Sequence, residues 1–157
     1  MNLRIDGWRK GIRFSASHLI PGHEQCGHMH GHTYAMHAVI GGEPVGHGFI
    51  VDFNEVVAIL KGLADRFDHR LLLPTRNERI EIKESADEIA FFVGSRRYVL
   101  PRDDVELLPL ANVSAENLAD HVCGELARAL AGRPNLRRVE AGVDEGYGKG
   151  AWAERVL

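Results

Sequence analysis

The sequence predicts an α+β fold in which strands pair antiparallel and two helices cover one face of the sheet. Two observations predict it. Segments with side-chain period two, which is typical of strands, come in pairs at both ends of the chain. Segments with helical period stand between these pairs. Strand pairs with helices between them are typical of a sheet that carries its helices on one face.

The N-terminal half begins with two predicted strands, over residues 4–18 and about 30–41, joined by a loop rich in Pro and Gly. His18 ends the apolar face of the first strand. His30 and His32 share one face of the second strand, because side chains repeat their direction every second residue.

Two helices follow from apolar spacing and capping residues. The first covers about residues 54–66, where Asp52 and Glu55 have the outline of a capping box. The second begins near Ser114, a plausible N-cap, and stops at Gly132. We expect these two helices on the same sheet face.

The rest of the chain reads as further strands. The pattern of residues 79–110 predicts two or three short strands. A last pair of strands is expected at about 136–144 and 150–156, joined by a glycine-rich turn. No internal repeat and no linker divides the chain, so we expect a single domain over 1–157.

Composition excludes several classes of protein. The hydrophobic fraction of 45% and charged fraction of 26% are ordinary for a soluble domain. A net charge of −3 does not suggest general nucleic-acid binding, and no apolar run approaches the length of a membrane span. The two cysteines form no spaced series, and the N-terminus lacks the apolar core of a signal peptide. We expect a cytoplasmic protein.

A metal site is the main chemical prediction. His30 and His32 are two residues apart on one strand, so both imidazoles can reach one ion. His18 completes the set if the second strand returns beside the first as a hairpin. Three histidines with an open fourth position are typical of catalytic zinc. The alternative is a group of polar residues at the mouth of the sheet, hydrogen-bonded to loop carbonyls.

The remaining histidines of this region are weaker candidates. His37 falls on the opposite strand face, which argues against a ligand role. His23 and His28 lie in the loop, where they either contact a substrate or are solvated.

Cys26 has three open interpretations: fourth zinc ligand, nucleophile or base, and inert residue. Its polar, Gly-flanked loop slightly favours a catalytic role, since a thiol near a cation becomes a thiolate more readily. Cys123 lies within a helix beside Val122 and is interpreted as a packed core residue.

Carboxylates near two predicted element ends are weaker signals. Asp68 precedes His69 after the first helix, and an Asp beside a His can orient an imidazole for proton transfer. By itself such a pair is more often a cap or a surface pair. Glu145, next to the last turn, is alone only a turn carboxylate.

Taken together, the motifs resemble the 6-pyruvoyl-tetrahydropterin synthase / 6-carboxy-tetrahydropterin synthase family. They are, in chain order, FSASH, CGHMHGHTY, VDF, FDHRLLL, NVSAENLA and VDEGYGKGAW. The segment of about residues 77–110 is longer than in compact members of the family, and in this extension the chain resembles an archaeal branch.

The resemblance implies roles for individual residues. It implies that His18, His30 and His32 bind zinc and that Cys26 is the general base. It further implies that Asp68 with His69 forms a second proton-transfer element, that Glu145 anchors a pterin ring, and that Ser114 lies near the pterin.

The fold implied is the tunnelling fold (T-fold), in which sheets of several subunits form a barrel, commonly as a trimer or hexamer with active sites between subunits. The implied substrate is 7,8-dihydroneopterin triphosphate. Zinc would bind its side-chain hydroxyls and acidify neighbouring protons. Asp68 and His69 would then serve the Cys26 of a neighbouring subunit.

Three branches of the family differ in product. The short N-terminus favours the branch that makes a carboxy product with loss of acetaldehyde, for deazapurine-modified tRNA bases, over the pyruvoyl branch. An aldolase-like branch is disfavoured, because His28 stands where that branch has a Glu. Outside the family, a zinc hydrolase and a non-catalytic metal-binding module stay open.

Overall fold

The computed structural model describes all residues, 1–157. Its strands are β1 (Asn2–Ile5), β2 (Arg13–His18), β3 (His30–Gly42), β4 (Arg70–Pro74), β5 (Glu81–Glu84), β6 (Glu88–Val93), β7 (Arg96–Pro101), β8 (Val105–Leu108), β9 (Leu136–Glu145) and β10 (Gly150–Val156). Its α-helices are α1 (Gly7–Lys10), α2 (Phe53–Phe67) and α3 (Ala115–Ala129). None of them is long and apolar enough to cross a bilayer. The α+β class is confirmed.

The main sheet has the strand order β10-β9-β3-β2-β4-β8, and β1 pairs with the second half of β3. The prediction of a purely antiparallel sheet is wrong in one part, because β4 runs parallel to both β2 and β8. The reason is the crossover through α2, which returns the chain in the direction of β2 rather than as a hairpin. The sheet is therefore mixed.

The single strand predicted over 4–18 is interrupted in its middle. The Asp6 side chain accepts a hydrogen bond from the backbone N–H of Arg9 and starts the short helix α1. Gly11 ends it with a positive φ of 67°, a conformation that suits glycine. This cap-and-glycine pair separates β1 from β2 and places α1 on the sheet face opposite α2 and α3.

Helices α2 and α3 pack side by side on one face of the sheet, as predicted, and form the larger core with it. Asp52 caps α2 by accepting from the N–H of Asn54, while Glu55 pairs with Arg133 instead of closing a capping box. We call this sheet side the helix face. It includes Phe14 and Tyr34, whose rings stack with centroids 4.7 Å apart.

The extra strands predicted within residues 77–110 are confirmed as the three-stranded sheet β5-β6-β7, here called the inserted sheet. It forms a second core that includes Phe91, Leu71 and Leu73 of β4, and Leu19, which directly follows β2. Leu72 belongs instead to the core under the helices, as the alternation of β4 requires. The inserted sheet therefore packs against β4 and the end of β2, on the side of the main sheet that faces away from α2 and α3.

Candidate functional site

The three predicted metal ligands come together at one end of the β2–β3 hairpin. His18 lies directly opposite His30 in the antiparallel register, and His32 lies opposite Ala16. One ring nitrogen of each histidine lies within 4.8 Å of the others. Gly31 between them lets the two strands approach closely, because a Cβ there would sit 3.0 Å from the Ala16 carbonyl oxygen, a tight contact.

Backbone carbonyls fix two of the imidazole rings. The Nδ1 atom of His18 lies 2.5 Å from the Val113 carbonyl oxygen, and Nδ1 of His30 lies 2.8 Å from that of His28. A carbonyl can only accept, so both Nδ1 atoms carry the hydrogen. The Nε2 atoms of His18 and His30 then present lone pairs to each other at 3.1 Å.

This arrangement fits a bound cation. Two facing lone pairs repel unless a cation or a shared proton lies between them. Two nitrogens that bind one tetrahedral zinc at about 2.0–2.1 Å are about 3.3 Å apart, close to the distance between these Nε2 atoms. Metal-bound histidines also commonly donate their other N–H to a carbonyl. The cluster of His18, His30 and His32 can therefore hold a metal ion.

Burial favours the neutral form of His18 and His32, which is the form that binds a metal. Burial lowers the pKa of His18 from 6.5 to about 4; the Val113 carbonyl opposes this shift, and His30 and His32 add to it. Burial, with smaller effects of His30 and Lys149, also lowers the pKa of His32.

Glu145 lies beside the histidines in the same chain. It pairs with Tyr34 across β9 and β3, and its Oε1 is 4.0 Å from Nε2 of His18. That oxygen is buried and has no hydrogen-bond partner, and the same is true of the Tyr34 hydroxyl. Burial raises the pKa of Glu145, although the charge of Lys149 opposes this shift. Burial also raises the pKa of Tyr34, and the charge of Glu145 adds to that effect. Two unpaired polar groups at a histidine cluster suit a polar ligand.

A cavity of about 160 Å³ opens beside Glu145, lined also by Ala115, Glu116, Lys149 and Gly150. Ser114, predicted near a substrate, does not line it. Its hydroxyl caps α3 by accepting from the N–H of Asn117 at 3.4 Å. Ser114 therefore has a structural partner, and its neighbours at the start of α3 face the cavity.

Cys26 lies in the loop between β2 and β3 and is half-buried. Its N–H donates to Nδ1 of His23 at 3.0 Å, and its carbonyl accepts from the N–H of Ile20 at 2.6 Å. Its sulfur is not among the atoms that could share a metal with the three histidines. His23, which had no role assigned from the sequence, therefore helps to hold the backbone of Cys26 by accepting its N–H.

Asp68 and His69 form the predicted pair, with 2.8 Å between Oδ2 and Nδ1. Asp68 ends α2 and accepts from the N–H of Ser15, and the N–H of His69 donates to the Ser15 carbonyl. Burial acts to raise the pKa of Asp68, but the hydrogen bonds from Ser15 and His69 outweigh it and hold that pKa below its usual value. The side chain of His69 is 84% exposed.

The largest cavity, about 560 Å³, is lined by His69 and His32 together with Ser15, Ala16, Ser17, Gly31, Thr33, Arg70, Leu71, Leu100 and Asp104. Most of its strand residues point away from the helix face, since they alternate with Phe14, His18 and Tyr34. The structure thus brings Glu145 to the histidine cluster, whereas His69, paired with Asp68, borders a second cavity that it shares with His32.

Four contributors were not assigned a site role from the sequence: Tyr34, Glu116 and the carbonyls of Val113 and His28. The period of two places Tyr34 on the His30 face, so alternation could have found it. Nothing local marks the Val113 carbonyl, because it reaches His18 from 95 residues away.

Comparison with known proteins gives the family. The family described as 6-pyruvoyl tetrahydropterin synthase matches residues 8–154. A putative 6-carboxy-5,6,7,8-tetrahydropterin synthase from the archaeon Methanocaldococcus jannaschii is 34% identical over 160 residues, covering 100% of this chain and 98% of that protein. A protein with the same description from Pyrococcus horikoshii is 31% identical, covering 88% and 82%.

Solved structures agree in fold. The 6-pyruvoyl tetrahydropterin synthase of Plasmodium vivax superposes with a TM-score of 0.90 at 20% identity, over 100% of this chain and 98% of that one. The T-fold predicted from the resemblance is confirmed. The chain belongs to the 6-pyruvoyl tetrahydropterin synthase family of pterin synthases.

Proposed function

We propose that this protein is a zinc-dependent 6-carboxy-5,6,7,8-tetrahydropterin synthase. Its substrate would be 7,8-dihydroneopterin triphosphate, converted with one water to the carboxypterin, triphosphate and acetaldehyde. The observation that carries the proposal is the histidine cluster with an unpaired buried carboxylate oxygen of Glu145 beside it. Relatives described as carboxypterin synthases support the choice of product.

Zinc is the proposed metal because three neutral imidazoles with no fourth protein ligand are typical of catalytic zinc. When bound, it supplies Lewis-acid polarisation of the substrate's side-chain oxygens. His18, His30 and His32 would hold it, with His18 and His30 oriented by the carbonyls of Val113 and His28.

Glu145 is proposed to bind the pterin ring. Its free carboxylate oxygen faces the cluster, and a carboxylate accepts two parallel N–H bonds from an amino group and a neighbouring ring N–H. Such a ligand would supply the partner that Oε1 lacks. Ser114, bound as a helix cap, would act on the pterin through the start of α3 rather than by direct contact.

Proton transfer is proposed for Cys26 and for the Asp68–His69 pair. Cys26 is separate from the metal cluster and can take a proton from the substrate side chain. The ionised Asp68 would hold the His69 ring by its Nδ1–H and stabilise the protonated imidazole.

We also propose a homo-oligomer, a trimer or hexamer, with active sites between subunits. The exposure of the His69 side chain favours action on a neighbouring chain. The outer strands β10 and β8 each have one unpaired edge in the single chain, which a strand of another subunit can extend.

The pathway proposed for the product is the formation of deazapurine-modified tRNA bases, in the cytoplasm. Both cysteines are unpaired, which suits a reducing compartment. The second candidate is 6-pyruvoyl-tetrahydropterin synthase, which the description of the family and the solved relative favour.

The experiment is incubation of the zinc-loaded protein with 7,8-dihydroneopterin triphosphate and identification of the products by mass. Carboxypterin and acetaldehyde in equal amounts support the proposal. A pyruvoyl product selects the second candidate. Absence of triphosphate release would overturn both and leave a zinc hydrolase or a non-catalytic metal-binding module.

A further inference from the structure

A second polar cluster lies on the opposite face of the same strands, at the base of the β9–β10 turn. Asp144 precedes Glu145 in β9, so the two carboxylates point to opposite sides of the sheet. The indole Nε1–H of Trp8 donates to Oδ2 of Asp144 at 2.7 Å, from helix α1. This contact joins residues 136 positions apart in sequence.

His37 brings a third side chain to Asp144. Its Nδ1 accepts from the N–H of Gly7 at 3.1 Å, so the ring hydrogen lies on Nε2. Nε2 is 3.3 Å from Oδ2 of Asp144, although the angle between them does not make a well-formed hydrogen bond. The Trp8 bond is therefore the stronger of the two contacts to Asp144.

Helix α1 also reaches the turn itself. The rings of Trp8 and Tyr147 meet edge to face with centroids 5.7 Å apart. Tyr147 is otherwise largely open to solvent, since it is 86% exposed. A Cβ on Gly7 would sit 2.0 Å from the Met36 carbonyl oxygen, which shows how closely α1 lies on β3.

Glu145 depends on this turn for its position. Its N–H donates to the Lys149 carbonyl at 2.9 Å, and no hydrogen bond or other short polar contact fixes its Oε1. Oε1 lies 4.0 Å from Nε2 of His18, too far for a hydrogen bond, so the backbone at the end of β9, which pairs there with Tyr34 of β3, sets the direction of the side chain. The residue before it is held by Trp8, and the turn after it is held by the Trp8–Tyr147 contact.

We infer that Trp8, acting through Asp144, is a positioning residue that holds Glu145 in the orientation needed to bind the substrate ring. This inference rests on the proposed function for the role of Glu145, while the mechanical link rests on the contacts above. The hydrogen bonds of Trp8 and His37 go to Asp144 and Gly7 and not to any of the three histidines.

The test uses Trp8→Phe in the full-length, zinc-loaded protein. Phenylalanine keeps a ring against Tyr147 and removes only the N–H. Because this variant loses a hydrogen bond to a charged group, we expect its KM for 7,8-dihydroneopterin triphosphate to rise roughly 10-fold. Its kcat should stay within about 2-fold of the wild-type value, and its zinc content should be unchanged. Trp152→Phe is the matched control, because Trp152 lies near His37 on the same face and has no hydrogen bond to Asp144.

A double-mutant cycle tests the route through Asp144. If Trp8 acts through this carboxylate, Asp144→Ala raises KM at least as much, and Trp8→Phe added to it raises KM no further. Asp144→Asn keeps an acceptor for the indole N–H and retains a KM nearer to that of the wild type. Additive effects of the two changes would overturn the inference.

Hydrogen–deuterium exchange separates this inference from the proposed function. Trp8→Phe is expected to speed exchange in residues 143–150, including the Glu145 amide, and to leave residues 30–33, which pair with β2 and not with β9, unchanged. If the wild type does not act on the pterin, the proposed function fails while the exchange data still decide the link. Unchanged exchange in 143–150, or an unchanged KM in an active enzyme, overturns the inference.

Discussion

The Nε2 atoms of His18 and His30 face each other at 3.1 Å, while both Nδ1 atoms are held by backbone carbonyls. Neither ring can turn its N–H inward without losing its carbonyl partner. The pair is therefore preorganised to share one cation, and His32 is the third nitrogen within reach.

Removing one ligand should remove the metal. His30→Ala is expected to lower metal affinity roughly 100-fold or more, since even loss of an outer partner commonly costs about 10- to 100-fold. Metal content by elemental mass spectrometry after dialysis measures this. His28→Ala is the matched control, because His28 holds the His30 ring by its backbone carbonyl, which alanine retains. Full metal in His30→Ala would contradict the three-histidine site.

The metal-free protein should lose stability in mild acid through His18. Its pKa is about 4 in the folded state and near 6.5 in the unfolded chain, so the unfolded chain binds more protons between these values. The free energy of unfolding should therefore fall as the pH drops from about 6.5 to about 4, by up to about 3 kcal/mol.

Urea titrations across this pH range, in the presence of a chelator, measure the effect. His18→Gln should flatten this part of the pH dependence, and His47→Gln, at an exposed position, should leave it unchanged. A His18→Gln protein with the wild-type slope would contradict burial as the cause of the lowered pKa.

Glu145→Gln should weaken substrate binding while retaining the metal. The amide keeps one acceptor oxygen and loses the charge, so we expect KM to rise by roughly 10-fold or more. Burial raises the pKa of Glu145, so this carboxyl loses its proton at a higher pH in the folded protein than in the unfolded chain. The free energy of unfolding therefore falls as the pH rises from the ordinary carboxyl range to the raised pKa of Glu145, and the substitution should remove this loss.

Asp68 and His69 should act on a neighbouring subunit if the sites lie between chains. Cys26→Ala and His69→Ala are each expected to be inactive as pure oligomers. Subunit exchange between them should restore part of the activity, because some interfaces then combine an intact Cys26 with an intact His69. Oligomer mass is checked by light scattering. No recovery, despite exchange shown by mass spectrometry, would place both residues in one chain's site.

The inserted sheet should contribute to the stability of the protein through its own core. Phe91 is fully buried and stacks on Tyr98 with ring centroids 4.6 Å apart. Phe91→Ala should cost about 3–5 kcal/mol of unfolding free energy. Phe92, on the opposite side of β6, is only half-buried, so Phe92→Ala should cost much less. Equal losses measured in urea would contradict the second core.

Much of the candidate site could be predicted from local alternation. The H-x-H spacing, the apolar face that ends in His18, and a hairpin return were enough to place three imidazoles together, as the register of His18 with His30 confirms. These features depend on strand period and one short connection, which a sequence displays directly.

The unpredicted parts depend on contacts between distant segments. The parallel pairing of β4 follows from where the α2 crossover lands, and the Val113 carbonyl reaches His18 from the start of α3. Helix α1 was not predicted, because the apolar residues around it alternate as in a strand, and a single N-cap residue, Asp6, is a weak helix signal beside that pattern. Glu145 was a lone turn carboxylate until the β3–β9 register placed it beside Tyr34.

The most direct test of the central claim compares wild type with Cys26→Ala, both loaded with zinc to one ion per three-histidine cluster. Each is incubated with 7,8-dihydroneopterin triphosphate, and carboxypterin, acetaldehyde and triphosphate are quantified. Wild type is expected to release all three in equal amounts, and Cys26→Ala to retain its zinc and release none. Equal turnover by both proteins, or loss of zinc from Cys26→Ala, would contradict an open metal site served by a separate thiol base.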